Sequence, residues 1–252
     1  MSARAWRGLT PPLLLLALWQ GASLAGLTDP RLLPPPAEVA TTAWRVLTDP
    51  MIFVALGTSL GRCVAGFALG AGLGLAFGLL CGLSRPADRL LGPSFHALKN
   101  VAVFAWIPLI AMWFGFGEQA RIAFVALASF TPVVLNTWEG VASTPRPLLE
   151  VGAALRFGPW QRLTRIRLPA AIPSLMTGVQ IGLMHAWLAT IGAEYFLAKG
   201  TGLGGVLIEG RDTFDMALVL LGVVVLGGVG LVLSQVVRFG CARLSPSRLD
   251  LA

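Results

Sequence analysis

The chain has 252 residues, 56% of them apolar and only 12% charged, with a mean hydropathy of +0.76. That charged fraction is about half of the ~25% usual in soluble domains, which argues against a soluble enzyme and, despite a formal net charge of +7, against a nucleic-acid-binding domain. Several runs approach or exceed the ~20 apolar residues that span a bilayer, so the predicted fold is all-α, a polytopic membrane helix bundle. Cys63, Cys81 and Cys241 are scattered with no C-x-x-C spacing and supply neither a disulfide framework nor a metal site. No G-x-x-x-x-G-K-[ST] loop is present, so ATP-driven work would need an ATPase on another chain.

In chain order, Arg4 and Arg7 precede an apolar run at 9–26. This reads either as a signal peptide or as a retained first span; the span is preferred because Ser23-Leu24-Ala25 is a weak cleavage site. Residues 27–50 form a proline-rich external segment (Pro34, Pro35, Pro36) with a short helix predicted near 36–48. An amphipathic stretch, 51–62, leads into the second span at 63–83. There Gly66, Gly70, Gly74, Gly78 and Gly82 recur every fourth residue. They mark one side of a helix and let a neighbouring backbone come close, a packing surface rather than a transport site.

Residues 84–100 are polar, with Arg85, Arg89, His96 and Lys99, and a short third span at 101–116 is predicted to break at Pro108. The fourth span, 121–141, carries Pro132, Asn136 and Glu139; the fifth is 170–198; a Gly-rich loop, 199–215, leads to the sixth at 216–238. The sum is about six transmembrane helices in a single domain, 1–252.

The longest polar interruption between apolar segments is 143–173. It holds five arginines (Arg146, Arg156, Arg162, Arg165, Arg167) and one acid, Glu150. Thr144 is expected to cap a helix with Pro145 at its first position. That helix should run to Phe157 and stop at Gly158, read as tolerating positive φ, before Pro159 opens a second short helix. On lipid alone, such a stretch would be a basic amphipathic loop lying on headgroups.

Glu150, Ala153, Ala154, Gly158, Ile166, Leu168 and Pro169 resemble the EAA loop of binding-protein-dependent ABC importer permeases. Ala105-Trp106-Ile107-Pro108-Leu109, Trp113-Phe114-Gly115-Phe116-Gly117-Glu118 and Gly202-Leu203-Gly204 resemble the sulfonate/nitrate/taurine branch of that family. The resemblance covers roughly 58–237 and is sharpest at 150–204. It implies a type I importer permease fold in a bacterial inner membrane. It also implies a coupling helix within 143–169 that docks on cytoplasmic ABC ATPase subunits, with Ala153 and Ala154 as the close-packing face and Gly158 as the tight turn. ATP and magnesium would then sit on the ATPase, with no cofactor on this chain. An external substrate-binding protein would deliver a small anion such as a sulfonate, taurine or nitrate, and a second permease copy would complete a homodimer.

Charge gives topology independently. Thirteen of the nineteen Lys and Arg fall on the side of the 143–173 loop and six on the other, which puts that loop and both termini in the cytoplasm. Ionisable groups inside spans are costly and ask for a reason. Gln180, Met184, Trp187, Ile191 and Glu194 share one side of the fifth span at helical spacing, as a translocation path or a dimer seam. Glu194, near the outer end, can also simply reach water. His185 reads as a buried, hydrogen-bonded histidine. Asn136 and Glu139 read as a helix–helix hydrogen bond or an inner gate contact. One enzymatic alternative is a six-span intramembrane serine hydrolase, because Gly57-Thr58-Ser59-Leu60-Gly61 matches G-x-S-x-G; that chemistry needs a strand–turn–helix around Ser59.

Overall fold

In lipid every backbone N–H and C=O has to be satisfied within its own segment, so long apolar runs fold as helices. The structure, a computed structural model, describes residues 3–197 and 200–244. Among them every regular element is helical: α1 (Ala3–Leu24), α2 (Pro36–Leu47), α3 (Pro50–Leu83), α4 (Arg85–Leu98), α5 (Ile107–Phe114), α6 (Glu118–Ala142), α7 (Arg146–Ala154), α8 (Pro159–Arg162), α9 (Leu168–Phe196), α10 (Leu203–Asp212) and α11 (Met216–Leu244). A 3-10 turn, Val103–Trp106, precedes α5, and a π-helical turn, Leu163–Arg167, joins α8 to α9.

Among the described residues four helical segments are long and apolar enough to cross a membrane: α3, α6, Pro159–Phe196 and Met216–Cys241. The bent pair of α4 with Val103–Phe114 makes a fifth if it is one span. Two expected loops are helices instead: the polar stretch after α3 forms α4, and the Gly-rich stretch after α9 contains α10. Nor does Pro108 break a span. It sits in the first turn of α5, where its missing N–H costs nothing. The break lies at residues 99–102, between α4 and the 3-10 turn, with a bend of 93°.

The chain divides into two compact units, Met1–Thr58 with Lys199–Gly228, and Ser59–Ala198 with Val229–Ala252. In the first, the Arg45 guanidinium, at the end of α2, pairs with Asp215 at 3.2 Å. Asp215 also caps α11, accepting from the Leu218 N–H at 2.9 Å.

In the second unit the glycines of α3 lie against α6. A Cβ built on Gly66, Gly70, Gly74, Gly78 and Gly82 would meet, in turn, Val125, Ala126, Phe130, Thr137 and Trp138. The partners ascend together, so α3 and α6 run parallel, and the chain between them has to cross back. Between α6 and α9 the order is reversed: Gly140 faces Ser174, Asn136 faces Gly178 and Val133 faces Gly182. Thus α9 is antiparallel to α6. Cys63 and Cys81 are buried free thiols.

Candidate functional site

The 143–169 loop is more sharply built than its sequence suggests. Pro145, not Thr144, is the N-cap of α7; the Thr144 hydroxyl instead donates to the Val141 carbonyl at 2.8 Å, finishing α6. α7 stops at Ala154, short of Phe157. The left-handed residue is Arg156, at φ 54°, and not Gly158. Gly158 is extended (φ −66°, ψ 169°) because it precedes a proline, and it serves as the N-cap of α8. Its N–H donates to Gln161 Oε1 at 3.0 Å, and the Arg162 guanidinium donates to the Phe157 carbonyl at 2.9 Å. The inner face of α7 is Gly152, buried so tightly that an added Cβ would lie 2.3 Å from Ile166 Cδ1. Sequence reading passed over Gly152; the signal was a small residue one turn from Phe157 and opposite the acid.

Glu150, Ala153 and Ala154 are all exposed. The two alanines therefore do not pack within this chain. Beside them, Leu148, Val151 and Leu155 are 45%, 56% and 60% exposed at i, i+3 and i+7 spacing. An apolar stripe facing outward on a short loop helix marks an interaction surface. Ile166 lies in the π-helical turn, and Leu168 and Pro169 open α9.

The path candidates divide. Glu194 does not reach water: it is 3% exposed, accepting from Ser59 Oγ at 2.7 Å and from Arg62 Nη1 at 2.7 Å. Arg62 also donates through Nε to Glu118 at 2.7 Å, and Glu118 receives Arg121 at 2.8 Å. Arg62 and Arg121 are 5% and 4% exposed. So α3, α6 and α9 are tied by a cluster of two guanidiniums and two carboxylates. Buried charges persist in a membrane only when paired in this way. Arg62 and Arg121, counted among external charges from sequence, belong to this cluster; Lys99, counted as internal, lies at the bend. Removing these three leaves the charge asymmetry in place.

Trp187 is buried, and its indole, with Met184, faces Gly230 of α11. Gln180 and Ile191 are half-buried. The Asn136 amide does not bond to another helix. It donates to the Pro132 carbonyl at 2.8 Å, one turn back on α6, and rests on Gly178 of α9. Glu139 is exposed. His185 is exposed rather than buried, and it lines a cavity of about 720 Å³ together with Asn136. Gln180, Met184, Trp187 and Glu194 are not among that cavity's walls. Ser59 lies inside the 34-residue helix α3, with no strand before it, so the nucleophile-elbow geometry is absent.

Parallel and antiparallel apolar helices, an ion cluster between them and an outward-facing helical loop define a polytopic membrane helix bundle. The model of the binding-protein-dependent transport system inner membrane components matches residues 70–249, and the chain belongs to that family. It is 33% identical over 92% of its length to a putative aliphatic sulfonates transport permease protein, SsuC, of Bacillus subtilis, covering 84% of that protein. It is 31% identical to the bicarbonate transport system permease protein CmpB of Synechocystis, over 92% of this chain and 86% of that one. It is also 29% identical to the taurine transport system permease protein TauC of Escherichia coli, over 92% and 86%. In structure it is similar to a chain of the inward-facing MetNI methionine ABC transporter, with a TM-score of 0.64 over 79% of this chain and 97% of that one, at 18% identity. That likeness concerns the fold. The chain is a transport permease subunit of the inner membrane, not a hydrolase.

Proposed function

We propose that the chain forms the translocation path of an ABC importer for a small organic or inorganic anion, of the sulfonate, taurine, nitrate or bicarbonate kind. The observation that carries the coupling part of this reading is the outward apolar stripe of α7, Leu148, Val151 and Leu155, beside exposed Ala153 and Ala154. The stripe takes a cytoplasmic ATPase subunit, which holds the ATP and magnesium. Glu150 and Gly158 flank the contact. Ile166, Leu168 and Pro169 transmit its movement through the π-helical turn into α9. A π-helical turn is a frequent mark of a functional joint, and here it sits between the docking helix and a span. An external binding protein delivers the anion, a second copy of the chain completes the pore, and both termini are cytoplasmic. The anion class is supported by the substrates named for its relatives.

The test is co-purification. The tagged chain is extracted from its native membrane in mild detergent beside a Gly158→Asp variant. An ATPase retained by the wild type and lost with Gly158→Asp is the expected result. A monodisperse wild-type preparation with no ATPase would refute the reading.

A further inference from the structure

We propose that the cavity at the bend of the return crossing is a binding site for an organic anion, with Lys99 as its charge-bearing residue. The inference rests on the anion-import reading and assigns it a place.

Three observations converge. The first is location. The cavity is walled by residues 127–136 of α6 and 181–189 of α9, the middle of both helices. The second is backbone. Lys99, Asn100, Val101 and Ala102, the non-helical residues between α4 and the 3-10 turn, all line it. Irregular backbone at membrane depth is tolerated only where protein buries it or where it lines a watery cavity. Interrupted helices near the bilayer midplane are also where transporters hold their ligands. The third is chemistry. The described lining residues include Lys99, Asn100, Asn136, Thr131 and His185, and no aspartate or glutamate.

The two amides each spend one N–H on a backbone carbonyl, Asn100 on His96 at 2.9 Å and Asn136 on Pro132 at 2.8 Å. Each primary amide carries a second N–H. The remaining walls are aromatic and aliphatic, Phe130 and Leu188 among them. One cation with neutral donors on an apolar floor suits an oxyanion head on a short apolar tail. A free alkanesulfonate and an anionic lipid headgroup share that chemistry.

The test uses the full chain with its two histidines isotope-labelled, in phosphatidylcholine nanodiscs, titrated with 1-butanesulfonate and in parallel with n-butylammonium. The His185 signal is expected to move with the sulfonate and not with the ammonium. The His96 ring packs on Trp138 at 5.2 Å and does not line the cavity, so its signal should stay still. Lys99→Gln should weaken binding roughly tenfold to a hundredfold, the worth of one charge-assisted hydrogen bond, and Lys99→Arg should restore most of it. In phosphatidylglycerol nanodiscs, a Lys99-dependent His185 shift without added sulfonate supports the site and assigns its occupant to lipid. A His185 signal indifferent to both anions, an equal response to butylammonium, or full binding by Lys99→Gln overturns the proposal. The readout needs no ATPase, so a failed co-purification and a failed cavity are separate results.

Discussion

Alanine at Gly70 tests the α3–α6 contact most severely. Its Cβ would lie 2.2 Å from both the Ala126 carbonyl oxygen and Ser129 Oγ. A carbon needs about 3.3 Å from a carbonyl oxygen, and a backbone oxygen cannot rotate away, so the helices must part by about 1 Å. Overpacking of this kind costs about 1–3 kcal/mol. The upper end is expected here, because separation loosens the glycine contacts above and below. Gly74 and Gly82, where the nearest atoms are 3.0 and 3.1 Å away, should cost under about 1 kcal/mol. Gly72 has nothing within 4 Å, so alanine there should gain up to about 1 kcal/mol of helix propensity. Reversible unfolding by SDS titration in bicelles, followed by tryptophan fluorescence, measures the series. Equal stability for Gly70→Ala and Gly72→Ala would refute the close-contact argument.

Glu194→Gln takes one carboxylate from Arg62, and Glu118→Gln takes one from both Arg62 and Arg121, which are 5% and 4% exposed. Each leaves buried positive charge short of a counter-ion, so the same unfolding assay should give about 3 kcal/mol for either; a loss under about 1 kcal/mol, the size of an exposed pair, would refute the buried-cluster reading. Gly158→Ala should leave both fold and uptake near normal, since an added Cβ meets nothing closer than 4.0 Å. Gly158→Asp should also fold, aspartate being a good N-cap, while losing ATPase binding and uptake of a radiolabelled anion in vesicles. Arg156→Gly relieves a left-handed residue and should raise stability by up to about 1 kcal/mol, read as a higher SDS midpoint.

The helical class and the glycine face of α3 were legible because their signals are local and periodic. A glycine every fourth residue states its own geometry. The ion cluster was not legible, since Arg62 and Glu194 stand 132 residues apart and no local pattern joins them. The positive φ was assigned to Gly158 by residue type, whereas Pro159 after it restricts the backbone to extended values. The helix then turned through Arg156 instead. The bend at 99–102 left no trace because no glycine or proline lies there; the proline that drew attention, Pro108, is accommodated in the first turn of α5. His185 was read as buried from the apolarity of its helix, a property that does not say whether a neighbour covers that side.

The ladder between α3 and α6 also behaves as a mechanical detent. Its notches repeat every four residues, about 6 Å along the axis at 1.5 Å per residue. A slide of any smaller amount would carry each glycine off its partner and set a bulkier side chain against it. The pair therefore holds register or jumps a full notch, and between jumps it transmits force like a single beam. Gating displacements of one or two ångströms must then be taken up elsewhere in the chain, at joints with looser tolerances than this seam.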